Sequence, residues 1–142
     1  MDSTAGTRER AVAGVTTGLI ADGESVTWRG RHFGLMLQHT SKITQYEPPG
    51  YFQDVMTAGL FKSFEHDHRF QERDGETVMR DELRFSAPFG VFGLMAERLV
   101  LRNYLTRFLL QRNKFIKNVA ETKMWREYLS KTESLEGYDD TF

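Results

Sequence analysis

The chain contains no cysteine. That removes disulfides, thiol nucleophiles and every Cys-ligated zinc or iron–sulfur site together. It fits a reducing compartment, and a cytoplasmic location is the expectation. Long apolar runs are also missing: charges interrupt even the longest helical stretch, so no membrane insertion is expected. The first ten residues, Met1 to Arg10, are polar and mixed in charge, unlike a secretory leader. Charge of one sign is lacking as well. The 19 basic and 20 acidic residues leave a net charge of −1, so broad nucleic-acid binding loses its electrostatic driver and no nucleic-acid partner is expected. Internal repeats, low-complexity tracts, a nucleophile elbow, a phosphate-cradling glycine loop and an H-E-x-x-H motif are all absent, which leaves covalent catalysis unsupported.

Aromatic residues are plentiful. They make up 13% of the 142 residues, and 11 of them are Phe, a composition that favours deep apolar surface. The length suits one domain with a single core or one enclosed cavity. Residues 1–9 read as a flexible lead-in, 10–128 as the domain, and 129–142 as an acidic, frayed tail. From Arg10 to Phe85 turn residues recur at short spacing, as in a strand meander. Strands are expected over 11–17, 24–33, 35–46, 51–57, 61–72 and 76–86. Their breaks fall at Gly18, Asp22-Gly23, Gly34 and Pro48-Pro49-Gly50.

The most informative stretch is a hairpin: Phe64-x-His66-x-His68-x-Phe70, a turn at Asp74-Gly75, then Met79-x-Asp81-x-Leu83-x-Phe85. Centring a type I′ turn on Asp74-Gly75 sets Arg73 opposite Glu76, His68 opposite Asp81, His66 opposite Leu83 and Phe64 opposite Phe85. Side chains alternate faces, so both histidines, the aspartate and the apolar residues share one face. A face mixing aromatics, imidazoles and a carboxylate suits a pocket wall. On the outer face Asp67 falls opposite Glu82, a repulsion that Arg80 and Arg84 can offset diagonally.

After Pro88 the period changes. Leu94, Leu101, Leu105, Phe108, Phe115, Ile116 and Val119 recur at three and four residues, as on one amphipathic helix. Drawn from Val91 to Ala120 it would run ~45 Å. A meander followed by such a helix buries the helix against the concave face of the sheet, an α+β fold with room for a cavity between the layers. Gly30, in mid-strand, lets another element approach closely.

These residues resemble the START-like helix-grip superfamily, also called SRPBCC, and among its members the bacterial proteins named polyketide cyclase/dehydrase-like. The resemblance is carried by Val26-Thr27-Trp28-Arg29-Gly30-Arg31-His32-Phe33-Gly34, Phe52-x-Asp54, Gly59-x-Phe61, the two hairpin strands, and Ala87-Pro88-x-Gly90 leading into the helix. It spans about residues 10–120. It implies a curved antiparallel sheet of seven strands gripping one long C-terminal helix, with a cavity for a small hydrophobic molecule. Family members begin with an edge strand and two short helices that have no counterpart here. A misassigned start, a fragment and a shortened variant each account for that. If the chain is this short, pairing of two copies through an exposed sheet edge is expected, and an open or collapsed cavity is a third outcome.

Alternation places His32, His39, Asp54, His66, His68 and Asp81 on the inward face. The ligand-facing set expected from this pattern is Trp28, His32, Phe52, Asp54, Phe64, His66, His68, Met79 and Asp81 from the sheet, with Leu105, Phe108 and Arg112 from the helix. A carboxylate on one imidazole nitrogen fixes the tautomer and raises the ring's basicity. The His68–Asp81 pair therefore either orients a polar ligand group, or closes the pocket wall as a satisfied buried pair. In a cyclase or dehydratase of the aromatase kind it would be the catalytic pair, with His68 as general base or acid. His66 and His68 with Asp81 or Asp54 would make a two-His-one-carboxylate set, but the spacing is not diagnostic, and the expectation is no metal and no cofactor. Arg112 either meets a ligand carboxylate or snorkels to the rim. Arg98, Arg102, Arg107, Lys114 and Lys117 read as a solvated helix face. The reading favoured by the sequence is non-enzymatic binding of a hydrophobic or amphipathic small molecule.

Overall fold

Turn chemistry sets the strand order. In the computed structural model, which describes residues 8–16, 18–88, 90, 92, 95 and 97–126, the strands are β1 (Arg10–Gly14), β2 (Ser25–His32), β3 (Leu35–Glu47), β4 (Tyr51–Ala58), β5 (Ser63–Arg73) and β6 (Glu76–Ser86), with short turns from β2 onward and a longer connection between β1 and β2. Each strand pairs antiparallel with the next in the order β1-β2-β3-β4-β5-β6. Among the described residues the sheet has six strands, where the resemblance implied seven, and β1 and β6 are its edges. The expectations for 1–7 and for the tail 129–142 lie outside the described residues.

The β5–β6 hairpin has the register drawn from its turn. Asp74 and Gly75 have φ of 55° and 78°, and Arg73, His68, His66 and Phe64 face Glu76, Asp81, Leu83 and Phe85. A second two-residue turn joins β2 to β3, with Phe33 at φ 52° and Gly34 at φ 80°. Phe33 is a costly residue for that conformation, and its ring lies 4.4 Å from that of Tyr104 on the helix. The first strand is shorter than expected. It stops at Gly14, whose positive φ of 73° and close approach to the Ser25 carbonyl leave no room for a Cβ.

Curvature comes from β3. This strand of 13 residues shifts register against β4 between Thr40 and Ser41 and again between Ile43 and Gln45. Such irregularities bend and twist a strand locally, and they lie midway along the sheet.

The C-terminal helix crosses the concave face, but it is not one uninterrupted α-helix from Val91. A π-helical turn at Glu97–Leu101 leads into α1, Arg102–Glu121. At 20 residues the regular part is ~30 Å long, and Leu94 lies outside the described residues. The start of α1 has no side-chain cap, because Leu101 is itself helical at φ −66° and ψ −40°. Its end is defined by Thr122, which turns extended and donates its hydroxyl to the Asn118 carbonyl at 2.7 Å. Leu105, Phe108, Phe115, Ile116 and Val119 form the covered stripe, while Arg102, Arg107, Lys114 and Lys117 are exposed.

The interior is unusual in composition. Val26, Ile43 and Leu105 are the buried apolar side chains among the described residues, against four buried polar ones: Ser41, His66, Asp67 and His68. Asp67 belongs to the outer face. It is nevertheless only 1% exposed, because Tyr51 and Gln53 from β4 donate to its Oδ1 at 2.5 and 3.1 Å and Arg84 pairs with its Oδ2 at 2.6 Å. Arg84 also meets Glu65 and Glu82, at 3.4 and 3.7 Å, and so offsets the repulsion expected there. Arg80 instead sits opposite Arg69.

Replacing Gly75 by Ala puts a Cβ on a residue held at φ 78°. The expected loss is about 1 kcal/mol, read as a lower urea midpoint with an unchanged far-ultraviolet spectrum. An unshifted midpoint would contradict the turn geometry.

Candidate functional site

Register builds the site from adjacent rows on the inner face. One row runs Phe52–His68–Asp81 across β4, β5 and β6, and the next runs Asp54–His66–Leu83. His68 is therefore flanked by two carboxylates. Its Nδ1 lies 2.8 Å from Asp81 Oδ1 and its Nε2 3.1 Å from Asp54 Oδ2. Phe52 stacks on the His68 ring at 4.1 Å and 19°, so the imidazole is only 2% exposed. His66 lies beside it, with ring centroids 3.9 Å apart. Its nitrogens are 3.8 Å from Asp54 Oδ2 and 3.6 Å from Asp81 Oδ1, beyond hydrogen-bond length. From the helix, Arg112 Nη1 comes to 3.9 Å from Asp81 Oδ2. Arg112 thus faces the carboxylate cluster.

A separate cavity of about 360 Å³ lies under the π-turn and the first half of α1. Its wall includes Leu37, Met56 and Phe64 from the sheet, Phe61 from the connection between β4 and β5, Pro88, and Leu101, Leu105 and Phe108 from the π-turn and the helix. Phe33, Leu60 and Phe92 also line it while 55%, 53% and 82% exposed, so its mouth is apolar too. Polar groups in the wall are few: Glu9, His32, Gln38, His39 and Tyr104. Three of these bond one another, with His32 Nδ1 at 2.7 Å from Tyr104 Oη and His32 Nε2 at 3.1 Å from Glu9 Oε1. Gly30 makes room for Glu9, whose Cγ occupies the space a Cβ there would take. The element admitted by that glycine is therefore the segment before β1.

Sequence reasoning had grouped these residues as one wall. The structure separates them. His32, Phe64, Leu105 and Phe108 line the cavity. Asp54, His66, His68, Asp81 and Arg112 form the polar cluster, roofed by Phe52. Asp81 also borders an open groove of about 700 Å³ between β6 and α1, with Leu83, Leu109 and Asn113. Trp28 pairs with His39 and Met79 with Phe70 on the inner face, and neither lines the cavity or the groove. Glu9 and Tyr104 were missed. Glu9 sat in the supposed lead-in, and Tyr104 falls beside the apolar stripe, one residue before Leu105; its i, i+4 spacing to Phe108 was the available signal.

Electrostatics divide the two regions. Burial raises the Asp81 carboxyl, but the imidazoles of His66 and His68 and the Asn113 amide outweigh it and hold the group well below the usual range. Asp54 is lowered in the same way, burial being overcome by His68 and then by His66 and Arg112. For His68 burial acts downward, and the hydrogen bonds to Asp54 and Asp81 reverse it, so its pKa lies above the ordinary imidazole value. In the cavity wall His39 moves the other way. Burial lowers its pKa, with Glu9 and Asp54 opposing only in part, so the ring is neutral at pH 7.

A curved antiparallel sheet closed by one C-terminal helix, with a cavity between the layers, defines a helix-grip fold. Among solved structures the chain is similar to the crystal structure of Ara h 8.0201, a Bet v 1-like protein, at 11% identity. The likeness has a TM-score of 0.51 and covers 82% of this chain and 84% of that one. At that identity it shows the helix-grip fold alone and does not reach the polyketide cyclase-like subgroup. No protein-family model and no curated protein matches the chain. Among the described residues no helix is long and apolar enough to cross a membrane.

The cluster has a pH signature with two sides. Asp54 and Asp81 are depressed in the folded protein, so their contribution is present above the unfolded carboxylate value of ~3.9 and disappears as pH falls through the folded values. The raised His68 contributes fully below ~6.5 and its share is lost as pH rises through its folded value. Urea midpoints should therefore decline on both flanks, and His68→Gln should flatten the alkaline one. An unaltered alkaline slope in that variant would remove His68 as its source.

Proposed function

We propose that the protein binds a small hydrophobic or amphipathic molecule, without turning it over, in the cavity between the sheet and α1. The observation that carries this reading is the wall itself: about 360 Å³ enclosed mainly by Phe, Leu and Met side chains. Sites for small ligands commonly occupy ~300–1,000 Å³ and combine an apolar lining with few polar groups. Driving force would come from apolar area removed from water, at roughly 25 cal/mol per Å² before binding costs. The helix-grip fold shared with the Bet v 1-like structure supports a hydrophobic ligand.

Polarity in the wall narrows the ligand's chemistry. His32 and Tyr104 are already bonded, whereas His39 has no hydrogen-bond partner among the described residues and its ring lies 6.3 Å from Phe64. A neutral imidazole both donates and accepts one hydrogen bond, which suits a hydroxyl or carbonyl on an otherwise apolar molecule. Proton transfer by His68 has less support. Both its nitrogens are engaged by carboxylates, and it is absent from the cavity wall.

Anilinonaphthalene sulfonate should bind saturably, with enhanced fluorescence, and a long-chain fatty alcohol should displace it. Met56→Trp fills part of the wall and should weaken the dye by about tenfold or more, with the thermal melt checking the fold. Because His68 lies outside the cavity, His68→Gln should leave the dye bound. No saturable binding to folded wild-type protein would overturn the proposal.

A further inference from the structure

Protons explain the contacts of His68 in the polar cluster but not those of His66. A single proton between His68 Nε2 and Asp54 Oδ2 accounts for their 3.1 Å contact, and another accounts for His68 Nδ1 and Asp81 at 2.8 Å. His66 is different. Its side chain is 7% exposed, yet its nitrogens stand 3.8 and 3.6 Å from the nearest carboxylate oxygens, and Nε2 has no hydrogen-bond partner. A buried donor or acceptor left in that state costs about 1–3 kcal/mol, and two carboxylates within reach have not closed on it.

We infer that Asp54, His66 and His68 bind a divalent first-row transition ion of the zinc type, with Asp81 as the carboxylate that holds both imidazoles in place. One donor atom from each of the three residues lies within 4.8 Å of the others. Donors ~2.1 Å from a tetrahedral ion are ~3.4 Å apart. The separations of Asp54 Oδ2 from His68 Nε2 and from His66 Nδ1, 3.1 and 3.8 Å, bracket that spacing, and the 4.8 Å limit on the triad leaves the two imidazoles to close the rest by side-chain rotation.

Which nitrogens ligate follows from the far side of each ring. With His66 Nδ1 and His68 Nε2 turned to the ion, His66 Nε2 and His68 Nδ1 both point to one atom, Asp81 Oδ1, at 3.6 and 2.8 Å. Histidine ligands are ordinarily held in this way, through the nitrogen that does not bind the metal. Arg112, 3.9 Å from Asp81 Oδ2, balances the other oxygen. Asp54 is the most exposed of the three ligands, at 18% against 7% and 2%, so the fourth position opens on its side, to water or to a donor atom of a small molecule. Two imidazoles and one carboxylate suit zinc or ferrous ion and leave coordination sites free.

The test uses Zn²⁺ added to full-length protein that has been stripped with chelator. The chain has four histidines, so long-range ¹H–¹⁵N spectra can follow each imidazole by itself. One equivalent of Zn²⁺ should shift His66 Nδ1 and His68 Nε2, leaving the rings of His32 and His39 unmoved. Calorimetry should give one site, weakened about 100-fold or more by His66→Gln and about 10–100-fold by Asp81→Asn. Far-ultraviolet spectra establish that these variants are folded, and the imidazole shifts on the wild type stand even if a variant is not. Zn²⁺ that shifts none of the rings, or shifts His32 and His39 instead, overturns the inference. So does affinity undiminished in folded His66→Gln.

Discussion

A strand that slips by one residue sends its whole side-chain set to the opposite face, and in this protein the register of β5 on β6 decides what lies beneath the helix. The left-handed pair Asp74-Gly75 holds that register. Because the turn is placed there, His68 faces Asp81, and the next strand brings Asp54 to the other side of the same imidazole. A slip would carry Asp67, with its cage of Tyr51, Gln53 and Arg84, into the interior and expel both histidines. Each face has its own ionic cluster, so either would be left unpaired in the wrong environment.

Two kinds of interior therefore share one concave sheet. Under the second half of α1 the space is occupied by charged and hydrogen-bonded groups reaching from three strands to Arg112. Under the π-turn and the first half it is lined by apolar side chains and left open. The helix meets the sheet through Arg112 and Asp81 at the polar end, at 3.9 Å, and through the hydrogen bond of Tyr104 with His32 at the cavity end, at 2.7 Å. Among the described residues few apolar side chains are buried, in keeping with this division.

Much of this was legible in the residues. Period-two alternation and the Asp-Gly turn placed His66, His68 and Asp81 on one face, and helical spacing marked Leu105, Phe108 and Val119 as covered. What escaped involves contacts between elements far apart in the chain. Glu9 reaches His32 across 23 residues and Tyr104 reaches it across 72. Asp67 looked solvated because alternation names a face but not what roofs it. The π-turn at Glu97–Leu101 has no local signature that separates it from an α-helical turn of the same apolar spacing.

Face, turn and periodicity were determined by the sequence alone, since each depends on backbone geometry within a few residues. The tertiary structure decided the division of the inner face into a cavity and a polar cluster. That division depends on where the helix crosses the sheet and on the bends in β3, which set distances between strands that alternation leaves open. His66 illustrates the difference. Its face could be read from its position in the strand, whereas its distances of 3.6 and 3.8 Å from two carboxylates exist only once three strands have been laid side by side.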